Sequence, residues 1–374
     1  MKTTLTPERS AASREALRRA NTAFARVYPG ESSQRQPVHT VYGGAHLFRS
    51  NTARKMGDLA LATLRDHAPD GAHLAHGLGL PQRGGFAQRV YARVVDKLER
   101  EPVEDFRLDF EDGYGHRPDA EEDAHAVSAA QEVARGLEQG TLPPFIGIRV
   151  KSFTEELYAR SSRTLDLFVT SLLEHSGGRL PPSFVVTLPK VTVPEQVTAL
   201  AHLLSELESV HNLPSGALML ELMVETPQAL FDSRGRPHLL SLVEAGEGRC
   251  SHVHLGAYDY TAALNLERAY YQGWDLHPAQ LPVRYAAVYA FFLEGLEPSS
   301  QRLKAFVDKA AQATMLGGVF DDAATGQGLL NFFLRGLACG ALTEEEVRAT
   351  GLTLEELHRR SFRAIVQARA TPSR

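Results

Sequence analysis

From residue 38 onward the chain alternates between two patterns. Short β-branched or apolar runs occupy residues 38–42, 106–110, 145–150, 184–188, 218–224 and 252–256. Longer segments with apolar positions at helical spacing lie between them, at residues 119–137, 154–174, 193–210 and 226–244. Strands alternating with helices predict βαβ units and a parallel sheet. Two helix starts are marked: Thr192-Val-Pro-Glu195 has the form of a capping box, and Thr226-Pro227 sets a cap before a first-turn proline. Residues 1–37 predict a helix followed by a polar turn, capped by Thr6, with Pro7 in the first helical position and a stripe of Leu17, Ala20, Phe24 and Val27. After about residue 280 helical patterning dominates, with further capping boxes at Thr343–Glu346 and Thr353–Glu356.

Composition narrows the function classes. The 374 residues are 43% hydrophobic and 23% charged, ordinary for a globular chain. With 40 basic and 45 acidic residues, net charge −5, there is no global positive field to attract nucleic acid or anionic lipid. No apolar run approaches the ~18 residues of a membrane span. Cys250 and Cys339 allow neither a CxxC pair nor a disulfide framework, and no apolar signal-peptide core is present, so a reducing, cytoplasmic location is expected.

In a parallel α/β fold the working residues sit where strands end. The run at 106–110 leads into Asp109, Glu111 and Asp112. The next presents Arg149 and then Lys151, and the one after it ends in Pro189-Lys190. The run at 218–224, apolar apart from Glu221, ends in Glu225. The last passes through Gly256-Ala257, which lets a ligand approach the backbone, to Asp259. Each has a plainer reading. The acidic trio also reads as a surface turn, Arg149 as half of a structural ion pair, Lys190 as a salt-bridged lysine against its sharper reading as a Schiff-base nucleophile, and Asp259 as a turn residue. Glu225 is hardest to explain away, because a carboxylate after an apolar strand is costly unless paired or metal-bound.

Other motifs are absent: no Walker A, GxSxG or GxGxxG occurs. Gly77-Leu-Gly79 and Arg83-Gly-Gly85 read as a flexible loop. His252 and His254 share a strand face and with His277 form a minor zinc candidate.

At its strand ends the sequence resembles the HpcH/HpaI aldolase and citrate lyase β-subunit family, within the pyruvate/phosphoenolpyruvate barrel superfamily. Leu108-Asp-Phe-Glu-Asp-Gly113 resembles its DLEDG motif, Ile148-Arg-Val150 its RVN strand and Leu188-Pro-Lys-Val191 its LPKV strand. Val224-Glu-Thr226, Gly256-Ala-Tyr-Asp259 and His277-Pro-Ala-Gln280 resemble its ET, GxxD and HPxQ segments. Lys151 replaces the family's Asn, Thr192 replaces a common Glu, the 43–106 stretch is expanded, and the interval between Asp259 and His277 is short for the usual strand and helix.

The resemblance implies an α/β, TIM-type (β/α)8 barrel with an atypical strand seven. The expected division is an N-terminal helical segment over 1–37, the barrel over 38–297 and a C-terminal helical extension over 298–374. It implies Mg²⁺ or Mn²⁺ held by Glu225 and Asp259, with Arg149 binding a substrate carboxylate or enolate oxygen beside Gly256 and Ala257. Asp109, Glu111 and Asp112 would orient Arg149 or metal-bound water. The implied chemistry is carbon–carbon cleavage or formation on a 2-oxo acid or acyl-CoA-derived substrate, an aldol or Claisen lyase. Thioester hydrolysis, a non-catalytic lyase subunit and a Schiff-base aldolase through Lys190 are the rivals. A homotrimer or hexamer is implied, and no nucleic-acid or membrane partner is expected. The family's C-terminal aspartate falls at Gln327 in an ungapped alignment, so Asp322, or Asp321 beside it, is the candidate general acid or base.

Overall fold

The computed structural model describes residues 6–27, 35–81, 84–256, 273–275, 277–315 and 323–370. The predicted runs become β1 (His39–Gly44), β2 (Asp105–Asp109), β3 (Phe145–Arg149), β4 (Phe184–Leu188), β5 (Met219–Val224) and β6 (Cys250–Leu255). A short β7 (Gly273–Asp275), absent from the predicted runs, completes a seven-stranded sheet in the order β6-β5-β4-β3-β2-β1-β7, with every pairing parallel. The central strands are buried, with Ile146, Ile148, Val186, Leu220 and Leu222 0% exposed, whereas β6 leaves Val253 and Leu255 exposed.

An eight-stranded barrel was expected. The described sheet has seven strands, and β7 pairs with β1 where the last strand of such a barrel lies. Residues 257–272, where the further strand would fall, lie outside the described residues.

Helix α1 (Pro7–Val27) precedes β1 in the chain, and the expanded stretch after β1 holds α2 (Thr52–His67), α3 (Gly71–Leu78) and α4 (Phe86–Arg100). Of the flexible loop expected at 77–79 and 83–85, the described residues form helix and caps, and Arg83 lies outside the described residues. Gly77 lies inside α3, which Asp70 caps by accepting the His73 N–H at 2.9 Å. Gly79 ends α3 and Gly85 starts α4, both at positive φ.

Helix α5 (Asp119–Gln139) follows β2 and buries Ala126, Ala129, Ala130 and Val133 at helical spacing. Helix α6 (Tyr158–Ser176) answers with Leu165, Phe168, Val169 and Leu172. Helix α7 (Pro194–Val210) begins one residue later than its expected box. The residue that closes the cap is Gln196, not Glu195: its Oε1 accepts the Thr192 N–H at 2.9 Å and the Val193 N–H at 3.3 Å.

The single helix expected over 226–244 is interrupted. Helices α8 (Pro227–Leu230) and α9 (Leu239–Glu244) flank a turn in which Asp232 Oδ1 accepts the N–H groups of Arg234 and Arg236. An Asp that bonds backbone two residues on, followed by Gly235 at φ +72°, outranks helical spacing there.

The described residues beyond 280 hold only helices as regular elements: α10 (Leu281–Met315), α11 (Ala323–Ala338), α12 (Glu344–Arg348), α13 (Leu354–His358) and α14 (Phe362–Ala370). Both late capping boxes form, Thr343 with Glu346 and Thr353 with Glu356, each bonded in both directions.

The chain forms two compact units, residues 37–291 and residues 1–36 with 292–374, whereas the sequence suggested three successive segments. In the second unit Leu303, Leu330, Phe333, Val347, Phe362 and Ile365 are buried at 2% exposure or less. The apolar run at 329–334 thus contributes Leu330 and Phe333 to internal packing. Among the described residues no helix is long and apolar enough to cross a membrane.

Candidate functional site

Alternate residues of a strand share a face, so Asp105, Arg107 and Asp109 project from one side of β2. That side is the charged interior of the sheet. Arg107 bonds Asp105 and spans to Glu221 on β5, Nη2 to Oε2 at 3.0 Å. Thr187 on β4 donates to Glu221 Oε1 at 2.7 Å, and Thr40 on β1 donates to Asp105 at 2.8 Å. Barrel interiors are normally filled by branched apolar side chains. Here burial by itself would raise the Glu221 carboxyl, but Arg107 and His254 hold it well below the usual carboxylate range. Sequence reading missed this network. Its available signal was ionisable residues on alternate positions of a strand, with Glu221 three strands beyond on another.

One layer up, Arg149 leaves the end of β3 directly beside Asp109 in the β2–β3 register. Its Nε and Nη2 bond the two Asp109 oxygens at 2.8 and 2.6 Å. Nη1 lies 3.3 Å from Glu111 Oε2 and 3.5 Å from Met223 Sδ, and the guanidinium sits 4.7 Å over the Tyr42 ring. Asp109 also accepts the N–H groups of Glu111 at 2.9 Å and Gly113 at 2.7 Å. A Cβ on Gly113 would fall 2.6 Å from Asp109 Oδ2, which explains the glycine closing the Asp-Phe-Glu-Asp-Gly turn. The Nε–Nη2 edge of Arg149 is thus committed to Asp109.

Lys190 follows β4 in the left-handed region, φ +51°. Its N–H donates to Glu225 Oε2 at 2.8 Å. Its ammonium bonds Glu111 and lies 2.9 Å from Asp112 Oδ2. Burial pulls the Lys190 ammonium toward deprotonation, but the bonds with Glu111 and Asp112 outweigh it and hold its pKa above the ordinary lysine value. A Schiff-base nucleophile needs a neutral amine, so this environment opposes that reading.

Glu225 is half-buried at the exit of β5. Burial raises its carboxyl pKa, against the pull of the Lys190 N–H. Burial likewise raises Glu111 against Arg149 and Lys190. Thr226 fixes the strand exit by accepting the Ala229 N–H at 3.3 Å and donating to Val191 O at 3.2 Å. A Cβ on Gly256 would meet Glu225 Cγ at 2.7 Å, so the glycine makes room for this carboxylate.

The departure at Lys151 has a structural role. The buried ammonium donates to Phe110 O at 2.5 Å, pairs with Glu122 at 3.0 Å and lies 5.1 Å from the centre of the Tyr114 ring. It thereby anchors the turn that carries Glu111 and Asp112.

Ala257, Asp259, Asp321 and Asp322 lie outside the described residues. Gln327 is fully engaged elsewhere: its amide donates to Asn331 Oδ1 and Arg360 O and accepts the Phe362 N–H, tying α11 to the start of α14. His277 accepts the Ala279 N–H at 3.1 Å and caps the turn before α10, rather than joining His252 and His254. Among the described residues no three metal-ligating side chains converge, which removes the zinc candidate.

The sequence matches the family described as Domain of unknown function (DUF6986) over residues 17–267 and 264–365. The chain belongs to this family. No curated protein matches it. Among solved structures, a citrate lyase from Burkholderia xenovorans LB400 is 17% identical, with 87% of this chain and 99% of that one covered and a TM-score of 0.45. A Haloferax volcanii malate synthase in a lead(II) complex is 14% identical, with 91% and 99% covered and a TM-score of 0.39.

In this DUF6986 chain the described donors fit a hard divalent cation. Glu111 Oε2 is buried and accepts no hydrogen bond. Glu225 carries a carboxylate that burial penalises and that only one backbone N–H supports among the described residues. Carboxylate oxygens of this kind are the donors that Mg²⁺ or Mn²⁺ takes.

Proposed function

We propose that the protein is a divalent-metal-dependent carbon–carbon lyase of the aldol or Claisen type, acting on a 2-oxo acid or an acyl-CoA-derived substrate. The observation that carries the reading is Glu225: a carboxylate held at a strand exit, penalised by burial, beside Arg149, Glu111 and Lys190 at the same mouth. The six motifs in family order support it from the sequence side.

Glu225 and Asp259 would hold Mg²⁺ or Mn²⁺, which when bound supplies Lewis-acid polarisation of a carbonyl. Arg149, fixed by Asp109 rather than by substrate, contributes a preorganised positive charge beneath the reacting group. Asp109 sets the orientation of that guanidinium and, through the Glu111 and Gly113 N–H groups, the shape of the acidic turn. Lys190 orients Glu225 through its main chain. Gly256 leaves the space beside Glu225 open to substrate. Asp322 is proposed to carry the proton, because Gln327 is held in helix packing and an amide transfers no proton at neutral pH.

The test is product analysis with Mg²⁺ or Mn²⁺ across 2-oxo acids and acyl-CoA thioesters. Release of an aldehyde or keto acid supports a lyase. Free thiol plus acid would make the protein a thioesterase instead. Glu225→Gln is expected to abolish activity, a loss on the order of 3 kcal/mol or more in transition-state stabilisation, and full activity in excess EDTA would overturn the metal requirement.

A further inference from the structure

Lys190 reaches three of the acidic groups described at the mouth by two independent arms. The first is main chain: the N–H, aimed by φ +51°, donates to Glu225. Any residue in that conformation supplies it. The second is charge: the ammonium bonds Glu111 and Asp112.

We propose that the Lys190 ammonium is a tethered counter-ion, occupying the acidic mouth in competition with a divalent cation, so that loading the site requires the lysine arm to leave Glu111 and Asp112. The inference rests on the reading of Glu225 as a metal ligand.

The four mouth carboxylates are not equivalent. Asp109 is saturated by Arg149 and two backbone N–H groups. Glu111, Asp112 and Glu225 all lean on Lys190. Glu111 is nine-tenths buried, with 9% of its side chain exposed; its Oε2 faces Arg149 Nη1 at 3.3 Å but accepts no hydrogen bond, so its lone pairs remain available to a cation. The two mouth cations differ as well. Arg149 is 1% exposed and held by a two-pronged bond. The Lys190 side chain is 40% exposed. A compact ammonium on a flexible four-carbon stem can move into water, where a buried fork cannot. A divalent cation bound beside Glu225 meets like charge from the ammonium until that movement occurs.

Competition and support give opposite results on removing the charge. Manganese binding to the full-length protein is measured by titration calorimetry for wild type, Lys190→Met, Lys190→Gly and Lys190→Arg, with folding followed by circular dichroism. Lys190→Met and Lys190→Gly are expected to bind Mn²⁺ about ten-fold more tightly or better, since one nearby positive charge is removed from a partly screened site. Lys190→Arg is expected not to tighten. Lys190→Gly also accepts the positive φ freely, so a gain in both variants excludes backbone distortion as its origin. Adding Glu225→Gln to either is expected to remove the gain. Unchanged or weaker Mn²⁺ binding in both variants, with wild-type binding intact, overturns the counter-ion role and leaves the metal reading standing. Absence of Mn²⁺ binding in every protein overturns the metal reading itself, and the inference with it.

Discussion

Arg149 places its Nε and Nη2 on the two oxygens of Asp109, at 2.8 and 2.6 Å, with both residues 1% exposed. Removing one partner strands a buried charge. Asp109→Ala is therefore expected to destabilise the protein by about 3–5 kcal/mol, and Arg149→Lys to fail as a conservative change because lysine lacks the fork. Urea denaturation of the two variants checks this, and loss of less than ~1 kcal/mol in Asp109→Ala would refute the pairing.

The deeper pair behaves differently when both members change. Glu221→Leu leaves Arg107 with the Asp105 carboxylate and the Thr187 hydroxyl and is expected to cost several kcal/mol. The double change, Arg107→Met with Glu221→Leu, is expected to cost less than the sum of the two single changes, because neither member of the pair is then left buried without the other, although Asp105 still loses its Arg107 partner. Non-additivity in the double-mutant cycle is the measurement.

The same pair sets the acid limb of stability. The Glu221 carboxyl is held well below its unfolded value by Arg107, against burial. Its contribution is complete above the ordinary carboxylate range and is lost as pH falls through the depressed folded value. The urea midpoint is expected to fall on acidification from pH about 5 downward, with a shallower fall in the Arg107→Met, Glu221→Leu double variant. Equal pH slopes in the two proteins would show that this pair is not the cause.

Glu225 has the opposite sign. Burial raises its folded pKa, so deprotonation at neutral pH works against the fold. Glu225→Gln, whose amide oxygen still accepts the Lys190 N–H, is expected to melt at or above the wild-type temperature while losing Mn²⁺ binding. A marked drop in melting temperature would mark Glu225 as structural.

Gly256→Ala brings a Cβ to 2.7 Å from Glu225 Cγ. Because the atom struck belongs to a movable side chain, the expected outcome is a folded protein with weakened Mn²⁺ affinity. Calorimetry together with a melting curve separates that from global disruption.

The mouth was largely legible in the sequence because each of its residues terminates a run that reads as a strand by itself. Asp109, Arg149, Lys190 and Glu225 needed only strand ends to be located. What they touch was not legible. The Asp109 fork depends on β2–β3 register, and the Arg107–Glu221 pair joins strands separated by more than a hundred residues of chain. The turn at Asp232 was hidden by helical spacing on either side of it. Gln327 looked like a substituted catalytic position until its three bonds placed it in helix packing.

The ionic interior has a thermal consequence. Exposing apolar surface on unfolding raises heat capacity, whereas exposing polar surface lowers it. A sheet whose inner face carries Asp105, Arg107, Asp109, Arg149 and Glu221 therefore unfolds with a smaller heat-capacity increment than one lined by valine and isoleucine. Its stability curve is correspondingly broad, with strength that changes slowly on cooling from the temperature of maximum stability.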